Sequence, residues 1–283
     1  MASDAILALP PLRDEIAAAG LRASKALGQN FLLDPNLLDR IVRSIGLAPG
    51  DRVYEVGPGP GGLTRALLKT GAEVVAIERD SRAIPILQRL AAASGGRLRV
   101  LEGDALKADP RALVGEGAHI AANLPYNIGT LLLTGWLTQA QWRPWWRSAT
   151  LMFQKEVADR LVARPGTPAY GRLSVLAQLR ADVRIETLLP ARAFTPPPKV
   201  DSAVVRLVPK APLEPFSLPL LERLTAAGFG QRRKMLRQSL KGVEGALAAM
   251  ERLGLDPTLR AEALSISDFA ALSTALDADL AYS

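Results

Sequence analysis

An α/β chain is expected, with a mostly parallel sheet clothed by helices and then a small all-α unit. Three observations predict it. Up to about residue 155, short β-branched runs alternate with stretches whose apolar residues recur at helical spacing. Gly- and Pro-bearing loops follow the strands. From Leu220 onward Leu and Ala recur at helical spacing with no strand signal.

The elements follow in order. Arg52–Val56 is a strand that ends in a Gly/Pro loop, and Gly62–Thr70 follows as a helix carrying Leu63, Ala66 and Leu67. Glu73–Glu78 is the second strand, and Ser81 is suited to cap a helix that reaches about Ala93. Leu98–Glu102, Ala118–Ala122 and Ala149–Gln154 are three further strands. Residues 155–184 read as mostly helical. The stretch 188–209 reads as a Pro-rich loop between two more strands, and Pro209–Pro219 as a linker. In parallel sheets of this kind ligands bind beyond the carboxyl ends of the strands, which sorts the loops that matter from those that do not.

Composition removes several chemistries. The chain has no Cys and a single His, His119, so disulfides, thiolate zinc sites, a Cys nucleophile and multi-His metal sites are excluded. No metal is expected. His119 falls within a strand and reads as a packed residue. Trp136, Trp142, Trp145 and Trp146 read as core or interface packing. Lys and Arg exceed Asp and Glu by 35 to 28, which points to a polyanionic partner. No apolar run is long enough for a membrane helix, and the N-terminus lacks the basic flank of a secretory signal, so a cytoplasmic monomer without membrane contact is expected.

Four loops carry the chemistry. Glu55-Val56-Gly57-Pro58-Gly59-Pro60-Gly61-Gly62 follows a strand and opens a helix, as a phosphate-binding loop would. Its prolines, its spacing and its acidic Glu55 suit a cationic sulfonium such as that of S-adenosylmethionine better than a pyrophosphate. Glu78, about 20 residues on, is placed to accept from ribose hydroxyls. Asp104 is placed to accept from an adenine amine, or to cap a helix. Asn123-Leu124-Pro125-Tyr126 is the most specific loop. The Asn123 amide oxygen and the Leu124 carbonyl, fixed by Pro125, are two acceptors in a small arc, with the Tyr126 ring beside them. An amino group on a planar ring needs that combination; an Asx-Pro turn with a packed Tyr is the plainer alternative.

At these residues the chain resembles the bacterial small-subunit (16S) rRNA adenine N6,N6-dimethyltransferase family, whose loss gives kasugamycin resistance. The resemblance runs from about residue 20 to 270. Its motifs are Leu27–Leu32, Glu55–Gly59, Glu78, Gly103–Ala105, Asn123–Ile128, Gln154–Ala158, Tyr170–Val175, Phe194–Ser202 and Phe229–Lys234. One departure is Leu131, where the family more often has Pro after Thr130. The resemblance implies a Rossmann-like class I S-adenosylmethionine-dependent methyltransferase domain over 25–209. A helical RNA-binding domain over 210–283 and an N-terminal extension, 1–24, complete the chain. It implies cofactor contacts at Asn30, Leu32, Gly57, Glu78, Asp104 and Asn123, with Gln29-Asn30-Phe31 folding over the methionine end. It implies that two adjacent adenosines in the 3′-terminal hairpin loop of 16S rRNA each receive two methyl groups, with the small ribosomal subunit or its precursor as partner.

Two further expectations follow. The target base leaves its stack, and Tyr126 and Phe194 offer it stacking faces. Phosphate contacts are expected at a one-signed basic run in the helical domain, Arg232, Arg233, Lys234, Arg237 and Lys241, and at Arg143 and Arg147 within 140–184, a basic stretch that also holds Glu156, Asp159 and Asp182. Competing readings are a large-subunit rRNA adenine methyltransferase of the antibiotic-resistance type, a non-catalytic RNA-binding factor on the same fold, and a nicotinamide-dependent dehydrogenase. The segments 199–209 and 228–241 favour the small-subunit enzyme over the first. The presence of Glu78 and Asn123 opposes the second, and the Pro-bearing loop and basic balance oppose the third.

Overall fold

The computed structural model describes the chain except residues 1, 25, 140, 141, 143, 212–215, 282 and 283, and the side chains of 2–4 and 278–281. Nine strands form among the described residues: β1 (Phe31–Leu32), β2 (Arg52–Val56), β3 (Glu73–Glu78), β4 (Leu98–Glu102), β5 (Ala118–Asn123), β6 (Trp146–Gln154), β7 (Ala181–Leu189), β8 (Phe194–Thr195) and β9 (Ser202–Pro209). Seven of them make one sheet in the order β4-β3-β2-β5-β6-β9-β7. The ladders from β4 to β6 are parallel, with Val56 opposite both Ile77 and Ala122. β9 runs antiparallel to β6.

The chain moves outward from β2 to β3 and β4, then returns to place β5 on the other side of β2. The reversal therefore lies between β2 and β5. It leaves the loops after β2 and β5 beside a crevice at the strand ends, where open α/β sheets bind ligands.

Contacts divide the chain into two compact units. The first comprises residues 1–136, 144–158 and 184–208 and carries the sheet. Val53, Val74, Ala76 and Ala121 are buried in its core against Leu63, Leu67 and Leu68 of the helix Gly62–Lys69. The helix Pro35–Ile45 shows how local sequence sets an element. The Asp34 carboxylate accepts from the Asn36 and Leu37 N–H groups, Pro35 opens the first turn and Gly46 closes the last in the left-handed region. Leu38, Ile41, Val42 and Ile45, at helical spacing, supply its buried face.

Residues of the N-terminal extension are built into this unit. Ala2–Leu7 and Leu12–Ala18 are helices, and Ile6 is 3% exposed within the core. Buried Glu15 pairs with Arg65 at 3.1 Å and Arg89 at 3.5 Å. His119 is buried in β5, its Nδ1 2.7 Å from the Ser148 hydroxyl.

The second unit comprises residues 137–143, 159–183 and 209–283. Leu179, Leu221, Leu224, Leu240, Met250 and Leu272 are in its core. The Phe229 ring meets those of Tyr170 and Phe269 with centroids 5.7 and 5.6 Å apart. Trp142 covers the buried Arg180 guanidinium at 4.4 Å.

Several local expectations differ from the structure. The 155–184 stretch is helical only over Lys155–Val162 and Arg172–Arg180, and β7 begins at Ala181. Alternating exposure along Val183, Arg184 and Ile185 is that of a strand at the sheet margin, where charged residues suit the solvent side. Ser81 caps nothing: the Asp80 carboxylate accepts from Arg82 N–H instead, and the helix starts at Ile84. Leu131 does not disturb the helix Gly129–Leu137 and is 60% exposed.

Candidate active site

The loops predicted to carry chemistry converge on one cavity at the carboxyl ends of β2–β6. It is lined by the segment Ala26–Leu32, by Glu55–Pro60 with Gly62, by Glu78 and Arg79, by Gly103–Ala105, by Asn123–Ile128 and by Met152. The strand-end loops put Gly57, Glu78, Asp104, Asn123, Leu124, Pro125 and Tyr126 at a shared site, the family resemblance adds Asn30 and Leu32, and all of them line it.

Glu78 ends β3 and is 5% exposed. One carboxylate oxygen accepts from the Gly59 N–H at 2.7 Å and the other from the Asp80 N–H at 2.8 Å. Gly59 reaches that geometry with φ +54°, which a side-chain-bearing residue rarely adopts. Each oxygen keeps a further lone pair for a pair of hydroxyls. Burial raises the Glu78 pKa, and the two N–H donors oppose the shift.

Glu55 is fully buried on the cavity wall, beside the Thr64 hydroxyl, which opposes the shift that burial imposes. Burial pushes its pKa up to about 8. Asp104 accepts from the Leu106 N–H at 3.0 Å in a turn rather than at a helix start, and Arg79 lies 3.8 Å from its other oxygen. Arg79, 68% exposed, is the only cation among the described lining residues. Three carboxyl groups, two of them buried, make the cavity hostile to a pyrophosphate. They suit a cationic nucleoside.

The β5 loop is held from two directions. Asn123 Nδ2 donates to the Asn30 carbonyl at 3.0 Å, which leaves Oδ1 as the free acceptor. The Pro125 carbonyl receives the Ile128 and Gly129 N–H groups and is spent on starting a helix. The Tyr126 hydroxyl lies 2.7 Å from the Ser202 hydroxyl of β9, which fixes the ring. Among the described residues no group of three or more His, Cys, Asp or Glu is placed to hold a metal, and no helix is long and apolar enough to cross a membrane.

Two expected residues stand elsewhere. Phe194 is 3% exposed in the core and does not line the cavity, because β8 pairs with β1 and sets Phe194 opposite Leu32. Arg232 binds Glu262 at 2.9 Å, the Tyr170 carbonyl at 3.0 Å and the Thr167 carbonyl at 3.2 Å, so its guanidinium is spent inside the helical unit. Arg147, expected to meet RNA phosphate rather than to line the cavity, is exposed near the start of β6. Arg233, Lys234, Arg237 and Lys241 are exposed. Arg143 lies outside the described residues.

Two contributing residues were not legible as site residues. Ser202 and Asp80 act on cavity residues through hydrogen bonds, and neither carries a motif signal apart from the matched stretch that ends at Ser202.

A Rossmann-like sheet with an acidic glycine loop and a strand-end Asn-Leu-Pro-Tyr loop defines a class I S-adenosylmethionine-dependent methyltransferase. The model of the ribosomal RNA adenine dimethylase family matches residues 20–278, and the chain belongs to that family. It is 60% identical over 268 residues to a ribosomal RNA small subunit methyltransferase A of Novosphingobium aromaticivorans, covering 95% of this chain and 98% of that one. Its identity to the protein of the same name from Zymomonas mobilis is 58% over 264 residues, 93% and 95% of the two chains. Among solved structures it is similar to a dimethyladenosine transferase from Plasmodium falciparum, with a TM-score of 0.75, 28% identity, and 87% and 96% of the two chains covered. It is also similar to the 23S rRNA methyltransferase ErmE, with a TM-score of 0.67, 26% identity, and 88% and 100% covered.

Proposed function

We propose that the protein dimethylates N6 of two adjacent adenosines in the 3′-terminal hairpin loop of 16S rRNA, using S-adenosylmethionine, and acts in the cytoplasm as a monomer on the small ribosomal subunit or its precursor. The observation that carries the reading is the pinned Asn123 amide, whose Oδ1 is left to accept from an amine beside Tyr126. The small-subunit assignment follows relatives at 55–60% identity that carry that name, against 26% for the large-subunit enzyme.

Glu78 binds the ribose hydroxyls, Asp104 the adenine amine, and Glu55 faces the cationic end. Asn30, Leu32 and Gly57 complete the cofactor wall. When bound, S-adenosylmethionine supplies a methyl group on cationic sulfur, open to in-line displacement by a nitrogen lone pair. An adenine N6 is a poor nucleophile because its lone pair is delocalised into the ring. Asn123 Oδ1 and the Leu124 carbonyl accept its two hydrogens, drawing the nitrogen toward tetrahedral geometry and freeing the lone pair. Pro125 fixes the carbonyl. Tyr126 stacks on the extruded base and returns about 1–3 kcal/mol of the unstacking cost. Positioning rather than a strong base carries the rate, and the proton left on the methylated amine passes to solvent. Exposed Arg233, Lys234, Arg237 and Lys241 bind RNA phosphates.

The test is methylation of purified small subunits from a strain lacking the modification, with the modified nucleotides mapped by primer extension. Four methyl groups on two neighbouring adenosines near the 3′ end are expected. Modification of large-subunit rRNA alone would overturn the reading.

A further inference from the structure

The segment 26–32 covers one wall of the cavity, and only its end, β1, is held by a backbone ladder, to β8; the residues before it need side-chain ties. Two adjacent residues tie it down at opposite sides. The Asn30 carbonyl receives Asn123 Nδ2 on the β5 side. On the β3 side, Gln29 spans two partners: its Oε1 accepts from the Ser24 N–H at 2.9 Å, and its Nε2 donates to Asp80 Oδ2 at 2.9 Å. Asp80 is 4% exposed and is itself built in. Its backbone N–H donates to Glu78, and its carboxylate takes three bonds from Arg82. The chain Ser24–Gln29–Asp80–Glu78 is therefore continuous from the covering segment to the carboxylate that faces the ligand.

We propose that Gln29 is a positioning residue that latches segment 26–32 across the cavity through Asp80, and so sets the retention of the cofactor rather than the methyl-transfer step. The proposal rests on the reading of the cavity as an S-adenosylmethionine site. Both functions of the Gln29 amide are needed, one acceptor and one donor. The substitution Gln29→Glu would keep the bond from Ser24 but set a carboxylate oxygen against Asp80, which the Arg82 guanidinium holds ionised.

The experiment measures binding of S-adenosylmethionine by calorimetry, hydrogen exchange of residues 26–32 without ligand, and steady-state KM and kcat on small subunits. Gln29→Ala is expected to weaken binding about tenfold, the scale of a lost hydrogen bond to a charged group. Exchange over 26–32 should accelerate, and KM for the cofactor should rise with kcat changed by less than about twofold. Gln29→Glu should bind more weakly still. Wild-type affinity and exchange in Gln29→Ala would overturn the latch. Glu78→Ala is the control: if it too binds normally, the cofactor reading fails, whereas lost binding there beside an unaffected Gln29→Ala removes the latch alone.

Discussion

The side-chain nitrogen of Asn123 donates to the backbone oxygen of Asn30 at 3.0 Å, joining the end of β5 to a segment 93 residues earlier. That bond decides which way the amide faces. With nitrogen committed to a carbonyl, oxygen is the atom offered to the cavity, and an amide with its orientation fixed costs no reorganisation when a substrate amine arrives.

Asn123→Ala is expected to lower kcat at saturating cofactor and RNA by about 10²–10³-fold, the usual loss for one preorganised polar group. Cofactor affinity should fall much less. Asn123→Asp should damage both, because a carboxylate oxygen would then face the Asn30 carbonyl. Turnover assays with separate binding titrations check this, and unchanged turnover in Asn123→Ala removes the assigned role.

Glu55 makes the stability of the ligand-free protein depend on pH. Its carboxyl rises from 4.5 to about 8 on folding. Between those values the folded chain holds a proton that the unfolded chain has released. The contribution is therefore fully present below about 4.5 and is lost as pH rises through about 8. Urea midpoints measured from pH 5 to 9 should decline, and Glu55→Gln should flatten the curve. The same variant should lose the rise in cofactor affinity toward alkaline pH, where the ionised carboxylate meets a cationic ligand.

Gly62→Ala tests a close approach. A Cβ there would lie 2.9 Å from the Leu32 carbonyl oxygen, and backbone in β1 yields only by dragging the cavity wall with it. Alanine ordinarily favours a helix by about 1 kcal/mol over glycine. Here a net loss of about 1–3 kcal/mol is expected from overpacking, together with weaker cofactor binding. Chemical denaturation and calorimetry read the two effects, and a stabilised variant would refute the argument.

The basic run of the helical unit should divide into two kinds of residue. Arg232→Ala should lower the melting temperature, because Glu262 and two carbonyls lose their partner. Arg233→Ala, Lys234→Ala, Arg237→Ala and Lys241→Ala should leave melting unchanged. Each should reduce the slope of log affinity for RNA against log salt by about 0.7. Equal slopes in all variants would remove phosphate binding from this surface.

Sequence by itself determined the parallel sheet as far as β6, the cavity-lining loops after β2 to β5, and the carboxylates and amide within them. Strand-end loops are local chemistry: a β-branched run, a turn built of Gly, Pro or Asn, and a polar side chain whose address follows from the strand before it. Tertiary structure alone decided the rest. The first residues of β7, Ala181–Arg184, read as helix because the pairing partner, β9, arrives some twenty residues later. Phe194 read as a stacking surface, but the β1–β8 ladder turns it into the core. Arg232 read as one of five equal cations until its three partners came from other parts of the fold. Gln29 read only as part of a segment that the resemblance folds over the cofactor, and its bond to Asp80 crosses 51 positions. In each case the deciding contact is non-local, and a pattern of residue types holds no record of which distant group the fold brings alongside.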